Sequence, residues 1–204
     1  MDDELVFYTH PMSRARMVWW MLEEVGADYD TRVVEYGEEM KSREYRAINP
    51  MGKVPTIVHG GKVITECAAI CAYLADAFPD AGLAPEPADR AAYYRWLFFG
   101  AGPVEMAFLH HQYDVEFTAR QEVTVGYGNH QRMVDTLSTA IEEGGDYIAA
   151  DRFTAADVYV GSHVGYGLRA EALPKLPVFE DYWERLKSRD AHSRAQGLAE
   201  AQRS

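Results

Sequence analysis

Asn49-Pro50-Met51-Gly52-Lys53-Val54-Pro55 is the stretch on which the reading of this chain turns. Val54-Pro55 opens an apolar run, Val54 to Val58, and an X-Pro bond at such a place is a candidate for the cis form in a tight turn. A cis proline there would turn the amide and carbonyl of Val54 outward, one donor and one acceptor for an extended ligand. Ten residues on, Thr65-Glu66-Cys67 begins an amphipathic stretch. Glu66 is expected in the first turn of that helix, beside backbone amides that lack intrahelical partners and favour an anion.

Working outward, Gly60-Gly61 separates Thr56-Ile57-Val58 from Lys62-Val63-Ile64, the pattern of a hairpin with a glycine turn. Cys67, Ile70, Cys71, Leu74 and Phe78 then recur at helical spacing on one face, and Pro79 ends the helix. Upstream, Leu5-Val6-Phe7-Tyr8 is a short strand stopped by His10-Pro11. A helix is predicted from about Ser13, with Ala15, Val18, Leu22 and Val25 on one face and Gly26 as its C-terminal cap. Tyr29 to Val34 reads as a second strand and Lys41 to Ile48 as a short helix. The order strand, helix, strand, helix, strand, strand, helix predicts an α/β domain of thioredoxin-like type over residues 1–79.

Prolines and glycine between residues 80 and 88 predict a linker, and residues 89–204 carry helical patterns only, an all-α domain. Its first helix holds Tyr93, Trp96, Leu97 and Phe99, and Gly100, Gly102 and Pro103 are expected to kink or break it. A second amphipathic stretch runs from Gln131 to Glu142. Phe153-Thr154-Ala155-Ala156-Asp157 places Thr154 at an N-cap and Asp157 three residues on, a capping box with Asp in the acidic place. Both are read as structural.

At 204 residues with 48% hydrophobic content the chain can bury real cores. A formal charge of −12 without a Lys/Arg cluster argues against a nucleic-acid partner. The acidic start Met1-Asp2-Asp3-Glu4 is unlike a signal peptide, and no long apolar run offers a membrane span, so a cytoplasmic location is expected. Cys67 and Cys71 are read as free thiols, with no metal-ligand spacing to a histidine, so no metal is expected.

Three signals together carry a resemblance over nearly the whole chain: the Asn-Pro-x-Gly-Lys-Val-Pro turn, Glu-x-Ala-Ala-Ile-x-x-Tyr-Leu from Glu66 to Leu74, and Phe-Thr-x-x-Asp at 153–157. The sequence resembles the cytosolic glutathione transferase family. The resemblance implies a glutathione-binding N-terminal domain, a helical domain lining a pocket for an electrophile, and a homodimer. It implies that Val54 pairs through its backbone with the cysteinyl part of glutathione, with Pro55 cis, that Glu66 receives the γ-glutamyl amino group, and that residue 67 meets its carboxylate. Here the chain departs from the family, which commonly has Ser where this sequence has Cys67. Lys41 and Lys53 are the candidate cations for the glycine carboxylate.

A thiol near pKa 8.5 is mostly protonated at neutral pH, and a hundredfold shift in its ionisation takes about 2.7 kcal/mol. A hydroxyl donor and the positive end of a helix are the expected apparatus. Tyr8, Thr9 and Ser13 stand near the end of the first strand. His10-Pro11-Met12-Ser13 resembles the serine-type, bacterial-like branches, which implies Ser13 as the thiolate's donor; an N-cap explains the same serine without catalysis. No cysteine occurs before residue 67, which argues against branches that act through their own thiol. Met12, His111, Tyr113 and Tyr166 are candidates for the second-substrate pocket. The expected activity is conjugation of glutathione to a largely apolar electrophile, as in detoxification. A glutathione-dependent isomerase or disulfide reductase and a non-catalytic glutathione-binding protein are the rival readings.

Overall fold

Leu5, Phe7 and Thr9 point into the core while Val6 and Tyr8 are half-buried, the alternation expected of a strand, and they form β1, Leu5–Thr9. The computed structural model describes residues 4–203; Met1-Asp2-Asp3 of the acidic start and Ser204 lie outside the described residues. After β1 come α1 (Ala15–Val25), β2 (Asp30–Val33), α2 (Arg43–Ile48), β3 (Thr56–His59), β4 (Lys62–Thr65) and α3 (Cys67–Ala77). The strands make one sheet in the order β2-β1-β3-β4, with β1 parallel to β2 and both other pairs antiparallel. This is the thioredoxin-like arrangement that the element order predicted.

Burial of Val18, Trp19, Met21 and Leu22 of α1 and of Ile70, Cys71 and Leu74 of α3 builds the core on the sheet, with Phe7 and Ile57 beneath. The Phe7 and Trp19 rings meet edge to face at 5.3 Å. Gly26 caps α1 in the left-handed conformation, its amide bonded to the Leu22 carbonyl at 3.1 Å. Gly60 and Gly61 both take positive φ, 55° and 78°, the demand of a tight hairpin turn.

In the remaining helical region, α4 (Ala91–Phe99), α5 (Glu105–Gln112), α6 (Ala119–Glu122), α7 (His130–Gly144), α8 (Ala155–Arg169) and α9 (Pro177–Lys187) follow, then α10 (Asp190–Ala201). Where a kink or break was expected, at Gly100 to Pro103, the α-helical pattern is interrupted while the chain stays helical. A π-helical turn, Gly100–Val104, joins α4 to α5, with the Glu105 amide reaching back to the Gly100 carbonyl. The widened turn accommodates a proline that an α-helical interior would not. The cap read at Thr154 holds: the buried Asp157 carboxylate accepts from the Thr154 amide at 2.9 Å and its hydroxyl at 3.0 Å. It also accepts from the Ile148 amide and the Tyr182 hydroxyl, both at 2.9 Å. Burial pushes the Asp157 pKa up, and these four donors oppose the rise.

The chain divides into two compact units, Met1–Gly82 with Arg189–Ser204, and Leu83–Ser188. This differs from a helical domain extending to residue 204. α10 belongs to the first unit because Ala191, Ala195 and Ala199 are buried and α10 packs on α1. Ion pairs close the contact, Arg16 with Glu200 at 3.1 Å among them. Arg189 binds Glu24 through two nitrogens at 2.6 and 2.7 Å, and Arg194 reaches Glu23 at 2.8 Å. Among the described residues no helix is long and apolar enough to cross a membrane.

Candidate glutathione site

The sheet register gathers the candidate residues of the first unit. Tyr8 of β1 pairs with Thr56 of β3, and Thr56 pairs with Thr65 of β4. The end of β1, the start of β3 and the end of β4 therefore lie at one edge of the sheet. Residues 9–14, Val54-Pro55 and Glu66-Cys67 emerge there side by side, although they are far apart in sequence.

The Val54-Pro55 bond is cis. Among the described residues the amide and carbonyl of Val54 have no hydrogen-bond partner. Its side chain packs against the cluster of Val34, Met40 and Tyr45. The preceding carbonyl, that of Lys53, accepts from the Tyr45 hydroxyl at 2.6 Å, the Asn49 side-chain amide at 2.8 Å and, more loosely, the Thr56 hydroxyl at 3.5 Å. Asn49 also donates to the Thr56 hydroxyl at 3.0 Å, and its own Oδ1 accepts from the Met51 amide. Burial raises the Tyr45 pKa, opposed by hydrogen bonds from Thr56 and Asn49. Gly52 has φ 58°, and a Cβ there would lie 2.7 Å from the Met40 carbonyl oxygen, so the turn admits only glycine. Asn49 and Gly52 stood in the quoted motif. Tyr45 and Thr56 were missed as positioning residues, and nothing in the sequence distinguishes Tyr45 from an ordinary core aromatic.

Glu66 is the N-cap of α3, one position before the first turn where it was expected. Its φ is 66°, rare for a residue with a side chain, and such backbone costs about 1–3 kcal/mol. The carboxylate is exposed. Cys67 opens α3, and its thiol donates weakly to the Arg14 carbonyl at 3.7 Å, linking the starts of α3 and α1. Cys71 is fully buried, and burial raises its thiol pKa well above the ordinary value. Lys41 and Lys53 are both exposed. Lys41 falls in a turn rather than a helix, because α2 starts later, with Ser42 as its cap.

Ser13 precedes α1 by two residues. Its hydroxyl donates to the His10 carbonyl at 2.7 Å and accepts from the Ala15 amide at 3.1 Å, so it closes the helix entry. Tyr8 is half-buried with its ring tilted against Tyr45 at 5.8 Å, and Thr9 is fully buried. Around the turn stands a group that sequence reasoning missed. His10 Nδ1 accepts from the Met12 amide at 3.2 Å, and Nε2 faces Glu35 at 3.5 Å. The Tyr36 ring lies 4.1 Å from the imidazole, and its hydroxyl donates to the Met12 carbonyl at 3.4 Å. Burial raises the Tyr36 pKa, and the positive charge of Arg14 counteracts it.

Met12 is exposed in the first unit. In the second, His111 stacks on His130 with centroids 4.5 Å apart, Tyr113 ends α5 and is exposed, and Tyr166 of α8 lies 6.3 Å from Phe108. Among the described residues no group of three or more His, Cys, Asp or Glu could hold a metal ion.

The fold is that of a thioredoxin-like domain, with the candidate residues gathered where β1 ends, β3 begins and β4 ends. Residues 11–77 match the family model of the glutathione S-transferase N-terminal domain. Glutathione S-transferase A of Pleuronectes platessa is 31% identical over 179 residues, 79% of this chain and 76% of that protein. A probable maleylacetoacetate isomerase of Caenorhabditis elegans is 30% identical over 139 residues, 65% of this chain and 64% of that protein. A solved glutathione transferase structure from Methylococcus capsulatus superposes with a TM-score of 0.79 at 26% identity, covering 97% of this chain and 99% of that one. The chain belongs to the glutathione S-transferase family.

Proposed function

We propose that this protein binds glutathione at the end of the sheet where β1 ends and β3 begins and transfers its thiolate to an electrophilic carbon of a small, largely apolar molecule. The observation that supports the reading is the register that brings together the end of β1, the start of β3 and the end of β4, the strand ends next to which Ser13, Val54-Pro55 and Glu66-Cys67 lie in the chain. In this assignment the unpaired amide and carbonyl of Val54 bind the cysteinyl backbone of glutathione. Glu66 takes the γ-glutamyl amino group, residue 67 takes the neighbouring carboxylate, and Lys41 or Lys53 takes the glycine carboxylate. The Ser13 hydroxyl, turned from the His10 carbonyl, donates to the sulfur, so the site is of serine type. Ionisation of the thiol and the proximity of two bound reactants supply the rate. Attack forms the carbon–sulfur bond as the electrophile releases its leaving group or accepts the electron pair. Homodimerisation and a cytoplasmic location accompany the reading as family traits.

A pH titration of the ultraviolet absorbance of bound glutathione tests it. The wild-type thiol should ionise well below its free value, and Ser13→Ala should reverse that. Glutathione bound with an unshifted thiol would make this a binding protein and remove the catalytic assignment. A second reading, a glutathione-dependent isomerase, is favoured by the likeness to the probable maleylacetoacetate isomerase. Isomerisation regenerates glutathione, so turnover without consumption of free thiol would identify it.

A further inference from the structure

We propose that His10 is a positioning residue: its Nδ1, used as a hydrogen-bond acceptor, sets the turn that aims Ser13 and thereby controls ionisation of the bound thiol. The inference rests on the serine-type reading above and deepens it.

His10 leaves β1 with a nearly buried imidazole that meets the Met12 amide, the Glu35 carboxylate and the Tyr36 ring. The Nδ1 bond to the amide two residues on has the geometry of an Asx turn, with an imidazole nitrogen in the place usually taken by an Asn or Asp oxygen. An Nδ1 that accepts must carry no proton, which puts the ring proton on Nε2, facing Glu35. Glu35 thus favours the tautomer that the turn requires. The His10 carbonyl accepts both the Ser13 amide at 3.0 Å and the Ser13 hydroxyl at 2.7 Å. Tyr36 covers the imidazole and donates to the Met12 carbonyl, clamping the middle of the turn. The Ser13 oxygen is held in place by the Ala15 amide, so only its proton has to swing from the His10 carbonyl to a ligand sulfur. Loss of the Nδ1 acceptor leaves the Met12 amide unsatisfied and frees the turn that holds Ser13.

The test compares His10→Phe, which keeps a ring against Tyr36 but has no acceptor, with His10→Asn, whose Oδ1 can accept the Met12 amide. Bound-glutathione thiol absorbance is titrated in each, alongside retention on immobilised glutathione and hydrogen exchange of the Met12 amide. In His10→Phe the thiol's ionisation constant should fall about tenfold, one pKa unit, while retention stays within about twofold. Met12 exchange should quicken. His10→Asn should restore both ionisation and slow exchange. If His10→Phe does not fold, His10→Ala removes the same acceptor and carries the same expectation.

Wild-type ionisation in His10→Phe, or an Asn variant indistinguishable from the Phe variant, would overturn the inference while leaving the transferase reading intact. An unshifted thiol in the wild type would overturn that reading and with it the link to ionisation. Met12 exchange reports the turn itself in either case.

Discussion

Glu66 shows the difference between a residue type and a residue conformation. Its place after β4 was legible in the motif, but its φ of 66° was not, because the backbone there is dictated by how β4 must pass into α3. Glycine relieves such strain, about 1–3 kcal/mol, against about 0.5–1 kcal/mol of extra unfolded-state entropy. Glu66→Gly should therefore raise stability by about 1 kcal/mol in denaturant titration and lose retention on immobilised glutathione. A destabilised variant would show that the conformation carries no strain. At the next residue, Cys67 offers only a weak sulfur donor, placed 3.7 Å from the Arg14 carbonyl. Cys67→Ser should tighten glutathione binding about fivefold, the equivalent of about 1 kcal/mol for a hydrogen bond gained. Calorimetric affinities that coincide would mean that the residue 67 side chain is not used.

Among the elements, the loop from α2 to β3 is set by the Lys53 carbonyl and its shorter donors, Tyr45 and Asn49. Removing either should cost about 1–2 kcal/mol of stability, and because they share an acceptor and Thr56, the double variant Tyr45→Phe, Asn49→Ala should be non-additive. Strict additivity in a thermal double-mutant cycle would refute a common network. The motif announced Asn49, whereas Tyr45 became visible only when α2 folded against the loop. At the start of α7, His130 donates Nε2–H to the Ala172 carbonyl and stacks on His111. Burial, with the neighbouring His111 charge, lowers the His130 pKa below 6.5, and the Ala172 bond opposes this in part. The folded state then binds fewer protons than the unfolded chain below pH 6.5, so stability falls as pH drops through the lowered pKa. His130→Gln should flatten this acid limb in melts taken from pH 7.5 to 5, and an unchanged slope would place the titration elsewhere.

For the molecule as a whole, the last helix belongs with the first unit. α10 covers α1 with three buried alanines, Trp20 and Glu23 of α1 have partners on it, and Glu24 pairs with Arg189 just before it. Ending the chain at Ser188 should leave Glu24 without its arginine and expose the α1 face. Amide protection across β1 and α1 should collapse in hydrogen exchange; protection equal to the full chain would show that α10 is dispensable. Nothing in residues 189–204 marks this partner. Residues 89–204 carry helical patterns in the sequence that do not single out this helix, and a face of small residues fits many surfaces. The same division runs through the site. The sequence by itself determined the order of elements, the glycine turns, the Thr154–Asp157 cap and the Asn49–Pro55 turn, because each depends on backbone preferences within a few residues. Only the tertiary structure decided the register that joins residues 8, 56 and 65, the π turn that carries Pro103 through, and the imidazole that accepts the Met12 amide. Those depend on which distant groups meet, and hydrogen bonds between such groups leave no periodic trace in the chain.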